Sequence, residues 1–515
     1  MSVDIVHPLY LERLSQWETM RDCIAGEDAI KAKGTVYLPK ALGTSLEQYN
    51  AYKTRARFVN YTKRTADGLH GLMFRRDPIV ERPDNQIMLN ILENIDKRGT
   101  SLYQFLSDSV YDTMITGWGG YLVDYPSGAE GLNGLEMEEQ DIRPYVRYYP
   151  AESIVNWKYG VVNGLEQLTL VVLKEKWDIQ NDDDIFVHNI ETVYRVLYLK
   201  ENVYHQILYY QDNKNPEKTK EKWVPVEDII VKINGKTVNT IPFFTTPGKL
   251  PDTPMFLDLA KCNIGHYQKT ADYENGVHMT TIPTGFITGH DKYVDPETKE
   301  EEAISLGPDN FIMIKEADAK VGVLNYAGEG LSHCEKAIEQ AMSDMAILGS
   351  RLVSTEKGTS ESADAAKIHR AGENARLAGF AKNVSEGISK AVKTIAKWLQ
   401  LEGNFTVELC TDYDTLSFDP NALNALANLA EAGKMPLPYI FWNLKNGEYT
   451  PNSATFKEYI ALLNMEAAGI DMFDEAEAYA MLQKDSSLLK KISSLPTKKQ
   501  TETNANKPEE KIEEE

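Results

Sequence analysis

The feature that most constrains this chain lies in its middle, where two helical stretches flank a small β-type insertion. Met255, Phe256, Leu259, Ile264, Tyr267 and Ala271 recur at helical spacing, as do Ile338, Ala341, Met342, Met345, Leu348 and Leu352. Between them, after Pro283, the stretch Thr284–Tyr326 holds three short apolar runs, Gly285–Ile287, Asn310–Ile314 and Val321–Leu324, and a charged stretch from Lys299 to Glu302. Thr253-Pro254 predicts the start of the first helix, because threonine caps free N–H groups and proline has none to lose at the first helical position. Ser332 and Glu335 have capping-box spacing for the second.

The rest of the chain changes character around this motif. Residues from Ser45 to about Leu122 read as helical; Ser101 and Gln104 form a capping pattern ahead of Leu102, Phe105, Leu106, Val110 and Met114, and Gly117 ends the run. From Gly120 to Thr246 the pattern is β, with Tyr121–Val123 followed by the runs Leu165–Trp177 and Thr192–Gln211. Asn234-Gly235 has the positive-φ tolerance that a hairpin turn requires. After a polar loop from Ser354 to Ser360, a helix over about Glu361–Glu402 carries Leu377, Ala381, Val384, Ile388, Val392, Ile395 and Leu399 on one face. A strand, Phe405–Cys410, precedes several helices between Asn421 and Ile492, and Pro496–Glu515 is too polar to bury a core. The fold class expected is α+β.

Composition sets the bounds. At 515 residues the chain exceeds one hydrophobic core, so several subdomains are expected. Its formal net charge of −22 has the wrong sign for a surface that grips phosphate backbones. No stretch is apolar enough for a membrane span, and Met1–Tyr10 does not read as a secretory signal, so a soluble protein folded in the cytoplasm is expected. Cys23, Cys262, Cys334 and Cys410 are too scattered for a disulfide framework or a zinc site.

A search for chemistry returns little. Gly235-Lys236-Thr237 has Ile230 where a phosphate-binding loop needs its first glycine, and reads as a hairpin turn. His266 and His278 lie too far apart to share a metal on one helix face. Asp182–Asp184, Glu300–Glu302 and Glu509-Glu510 lack the spacing of a calcium loop, and Gly119-Gly120, Ser360 and Ser362 supply no nucleophile elbow. No catalytic residue, metal or cofactor is expected.

The segment Asp258–Tyr267, with Ala271–Glu274, Ile282-Pro283-Thr284 and Thr288-Gly289, resembles a bacteriophage family filed under a domain of unknown function and regarded as portal proteins. Arg55–Asn60, Gly71–Pro78, Thr116–Pro126, Arg143–Val146 and Ile154–Trp157 extend the likeness over roughly Gly34 to Gly403. The resemblance implies a portal-type fold with a β-rich wing, a two-helix stem, a small β clip, a long wing helix and an α-helical crown. On this chain that division gives a wing over 1–250, stem helices over 251–283 and 331–353, and a clip over 284–330. A tunnel loop at 354–362, a wing helix and strand over 363–418, a crown over 419–493 and a disordered tail over 494–515 complete it.

The resemblance also implies a function: a ring of about twelve subunits, closed by a head-to-tail interface, at one capsid vertex of the virion. Double-stranded DNA would pass non-specifically through its channel during packaging and ejection. The implied partners are the terminase large subunit, head-completion or tail adaptor proteins, and the major capsid and scaffold proteins, with no membrane. The candidate DNA-channel residues are Lys357 on the loop and Arg351 on the stem. Two rival readings are another virion or scaffold protein assembling through the long helix, and a metal-dependent nuclease hidden among acidic residues.

Overall fold

The computed structural model describes residues 3–83, 85–126, 136, 140–180, 186–211, 223–233, 235–281, 284–288, 318–324, 328–349, 363–411 and 413, and parts of 424–467. The chain divides into two compact units, Met1–Asp412 and Tyr413–Glu515.

The first unit opens with helices α1 (Pro8–Ala25) and α2 (Glu27–Ala32), then α3 (Leu46–Arg55) and α4 (Tyr61–Met73), a short strand β1 (Ile79–Glu81), α5 (Gln86–Glu93) and α6 (Leu102–Thr116). Ser101 caps α6 by accepting from Gln104 N–H, and Gly117 closes it at φ +75°, as the sequence pattern predicts. The helical reading of 45–122 needs correction in two places, since β1 interrupts it and Gly119 already belongs to a strand.

Two antiparallel sheets follow, so the fold is α+β. One orders its strands β11 (Phe243–Thr246), β2 (Gly119–Asp124), β3 (Tyr145–Pro150). The other is a meander of β4 (Ile154–Val162), β5 (Leu165–Gln180), β6 (His188–Lys200), β7 (Val203–Gln211) and β8 (Trp223–Ile230). The run expected over Thr192–Gln211 is therefore two strands. Glu201 and Asn202, at φ +53° and +61°, make the two-residue turn whose twist suits a hairpin. Gly235, at φ +74°, turns the small hairpin of β9 (Lys232–Ile233) and β10 (Lys236–Thr237).

Strand β2 is buried along its whole length. Its two glycines are required by close approach: the rings of Tyr148 and Phe243 occupy the space that a Cβ on Gly119 or Gly120 would need. A buried polar network ties the two sheets together. Arg195 Nε donates to Glu175 Oε1 at 2.6 Å, Tyr149 Oη donates to the same oxygen at 2.6 Å, and Trp177 Nε1 donates to Glu175 Oε2 at 2.5 Å. Arg195 also reaches Asp124 Oδ2 at 3.4 Å, and Tyr145 Oη donates to that carboxylate at 2.9 Å. Every carboxylate in the network is met by an arginine or a hydroxyl, which is how a buried charge is tolerated.

Three further helices and three strands complete the first unit: α7 (Leu257–Thr281), β12 (Thr284–Thr288), β13 (Lys320–Leu324), α8 (Leu331–Leu348), α9 (Ala363–Trp398) and β14 (Thr406–Glu408). Helix α9 buries Leu377, Ala381, Val384, Ile388, Val392 and Ile395, the stripe read from the sequence. Ser385 and Ser389 accept from the N–H groups of Leu409 and Val407 at 2.9 Å each, fastening the chain around β14 to the helix. The second unit contains α10 (Leu437–Asn446) and α11 (Phe456–Ala467), joined by contacts of Phe441 with Phe456 and Tyr459.

Candidate functional site

The candidate site is the helix pair α7 and α8 with the β12–β13 hairpin between them. At roughly 1.5 Å per residue, the 25 residues of α7 make a rod about 37 Å long. It starts later than the Thr253-Pro254 signal predicts: Pro254 O accepts from Leu257 N–H at 3.2 Å, and Asp252–Pro254 run against Gly117 instead. A Cβ on Gly117 would lie 3.0 Å from Asp252 O and 3.2 Å from Thr253 O, so the main-chain approach itself fixes the base of the rod.

Helix α8 runs antiparallel beside α7. Cys262 Sγ contacts Ala341 O at 3.7 Å, Tyr273 Oη donates to Glu335 Oε1 at 2.8 Å, and Leu331 packs against Gly276. The expected capping box of α8 is absent. The helix begins at Leu331 with Gly330 as its N-cap, Ser332 Oγ donates to Glu329 O at 3.3 Å, and Glu335 is taken by Tyr273. A carboxylate engaged by the neighbouring helix cannot also fold back on its own N-terminus.

The two halves of the pair differ in burial. In the lower half, Leu257, Leu259, Ala260, Asn263, His266, Tyr267 and Ala271 of α7, with Ala341 and Met345 of α8, are buried. From Asp272 to Thr281 and from Leu331 to Gln340 no residue is buried. Every residue of these distal halves keeps some exposure, and besides each other they meet α3 at Asp272 and Asn275. They carry Asp272, Glu274, Glu335 and Glu339 against Lys336, an acidic balance. Between α7 and α8 in the chain, β12 and β13 pair antiparallel from Thr284 with Leu324 to Thr288 with Lys320. Phe286 and Val323 are 47% and 57% exposed there, and two strands with open apolar side chains are barely stable alone. The apolar run Asn310–Ile314 lies outside the described residues.

Polar contacts from α3, α4 and the chain just outside them reach the rod. Asn263, fully buried, accepts from Thr62 N–H at 3.2 Å and Thr62 Oγ1 at 3.1 Å, and donates through Nδ2 to Val59 O at 2.8 Å. Gln268 donates to Tyr37 O at 2.8 Å. Tyr52 Oη donates to Asp272 Oδ1 at 2.6 Å and Arg55 to Asn275 Oδ1 at 3.1 Å, so α3 clasps α7 where its buried half ends. His266 sits edge-on to Tyr61, and burial lowers its pKa. Burial likewise raises the Cys262 thiol, first of its causes.

Lys357 and Arg351, the channel residues proposed from the sequence, lie outside the described residues, as does the loop at 354–362. The acidic runs Asp182–Asp184, Glu300–Glu302 and Glu509-Glu510 do too. Among the described residues no group of three or more His, Cys, Asp or Glu side chains could hold a metal, and no helix is long and apolar enough to cross a membrane. The clasp residues Tyr52, Arg55 and Asn263 were not singled out by sequence reasoning, because their partners lie some two hundred positions away.

Residues 255–399 match the model of a family described as a domain of unknown function (DUF4055). The match starts two residues before α7 and ends one residue after α9, so it spans the helix pair, the hairpin and the long helix. No curated protein matches the chain. Among solved structures, it is similar to a chain from the neck of an empty GTA particle computed with C6 symmetry. That likeness covers 80% of this chain and 96% of that one, at 12% identity and a TM-score of 0.33. A chain from the neck of a native GTA particle computed with C12 symmetry follows, at 10% identity and a TM-score of 0.29 over 73% and 87%.

Proposed function

We propose that this chain is a portal protein, a non-enzymatic subunit that assembles head-to-tail into a ring of about twelve copies around a DNA channel. The observation that carries the reading is the α7–α8 pair: two antiparallel rods side by side, buried at the base and with no buried residue in their distal halves. Such a pair presents the same face from every subunit when arrayed about an axis. The distal halves and the β12–β13 hairpin are then the surfaces that neighbouring copies and docking partners cover.

The division into wing, stem, clip, tunnel loop, wing helix and crown follows the chain order set out above, with α7 and α8 as stem and β12–β13 within the clip. The acidic balance of the distal halves supports a channel that does not bind DNA tightly, since each lysine–phosphate contact adds salt-sensitive affinity and would slow sliding. Lys357 and Arg351 are the proposed exceptions that touch passing phosphates. The terminase large subunit during packaging, and head-completion or tail proteins afterwards, would dock on the clip; the capsid vertex of the virion is the proposed location, after synthesis in the host cytoplasm.

Negative-stain electron microscopy of the purified full chain tests this reading. Rings with an axial hole are expected; a monodisperse monomer at micromolar concentration would count against it.

A further inference from the structure

A cleft of about 1040 Å³ opens between α9 and the segment running from β10 to Lys249. One of its walls is the outer edge of a sheet, at which Thr245 is half-buried and Ile241 and Phe243 are buried. Strand β11 is the last of its sheet, and Val123 N–H donates to Pro242 O in the register that pairs Phe243 with Leu122. In an antiparallel ladder successive residues alternate in direction, so Phe244 and Thr246 address β2 with Pro242. The main-chain groups of Ile241, Phe243 and Thr245 point the other way, and all three residues line the cleft.

The second observation is charge. Lys236, Lys249, Lys390 and Lys397 line the cleft against Glu166 and Glu386. Lys249 pairs with Glu166 at 2.6 Å and Lys390 with Glu386 at 2.7 Å. Lys236 and Lys397 make no ion pair among the described residues and are exposed. The cleft thus carries a cationic surplus in a chain of net charge −22.

We propose that this cleft captures a short acidic segment of a partner protein in extended form, added as a strand to the outer edge of β11. Its main-chain groups bond to those of Phe243 and Thr245, and its carboxylates meet Lys236 and Lys397. Strand addition draws affinity from the main chain and specificity from the side chains that flank it. The ladder ends at Pro247, which has no N–H to offer, so the captured segment spans about five residues, at roughly 3.3 Å each. A nucleic acid would satisfy the lysines and leave the strand edge unused. The inference stands apart from the ring reading.

The test is fluorescence anisotropy on the full chain with three labelled peptides: alternating glutamate and valine, alternating lysine and valine, and the acidic peptide with alternate amides N-methylated. The acidic peptide is expected to bind, the basic one not. The double variant K236E/K397E and the N-methylation are each expected to weaken binding about tenfold or more. Both lysines are exposed, so an unchanged thermal midpoint checks that the double variant folds. Equal binding of both charges, no effect of K236E/K397E, or no acidic-peptide binding would overturn the proposal. So would a short DNA duplex that loses affinity on K236E/K397E while N-methylation costs the peptide nothing.

Discussion

Replacing Asn263 by alanine removes the contact that joins the base of the rod to the body. Thr62 is the second residue of α4, whose N-cap Asn60 satisfies only Lys63 N–H, at 2.8 Å. The Thr62 N–H is one of the donors that a helix start leaves unpaired, and Asn263 supplies its acceptor from another helix. Asn263 and Thr62 are fully buried, so Asn263→Ala strands that N–H and the Thr62 hydroxyl together, while the Val59 carbonyl keeps the N–H of Tyr61. Each unsatisfied buried group costs about 1–3 kcal/mol, and relaxation or an entering water offsets part of the sum, giving about 3 kcal/mol. Thr62→Val removes only the hydroxyl bond and costs about 1 kcal/mol. Because the chain has two units, a single unfolding curve mixes their transitions, and amide exchange is the cleaner assay. Exchange at Thr62–Ala66 should quicken by about a hundredfold in Asn263→Ala and severalfold in Thr62→Val. The double variant should cost less than the sum, since the two share a bond. Exchange in Asn263→Ala within about threefold of the parent would refute the reasoning.

Three further outcomes follow from the same structure. Gly117→Ala meets both a positive φ and main-chain oxygens at 3.0 and 3.2 Å, whereas Gly99→Ala at φ +88° meets nothing within 4 Å; Gly117→Ala should lower the thermal midpoint clearly more, and equal effects would deny that the Gly117 approach fixes the rod. Burial alone would raise the Glu175 pKa, but the Arg195 charge and the bonds from Arg195, Tyr149 and Trp177 outweigh it and hold it below its ordinary 4.5. A depressed pKa means stability that is present above the unfolded value and lost as pH falls through the folded one. Glu175→Gln should cost about 3–5 kcal/mol at pH 7 by leaving buried Arg195 only its longer contact to Asp124, and should flatten the loss of stability below about pH 4.5, measured by urea midpoints across pH. Lys357→Glu should reduce genome packaging or retention in assembled particles, and unchanged packaging would remove that lysine from the channel.

The elements that were legible in the sequence are those whose signals are local. Ser101 with Gln104, Gly117 at the end of α6 and the apolar stripe of α9 each depend on residues a few positions apart. Asn163-Gly164, at φ +53° and +79°, is a hairpin signal of the same kind between β4 and β5. Glu201-Asn202 turns just as tightly without a glycine, so the strands either side read as one run. Where a tertiary partner competes, the local signal fails: Glu335 has capping-box spacing but bonds to Tyr273, and Thr253 sits beside Gly117 instead of capping α7. Helix α1 was missed because its core side chains, Tyr10, Trp17, Met20 and Cys23, are interleaved with charged residues. The rods themselves were legible from periodicity, while the clasp of Tyr52, Arg55 and Asn263 required the folded chain.

A cryo-electron microscopy map of the purified full chain, with α7 and α8 located relative to any rotational axis, is the most direct measurement. The account predicts a closed ring in which every subunit's α7–α8 pair stands beside the next and lines the central opening. Pairs found on the outer rim, or buried in a closed dimer with no opening, would contradict it.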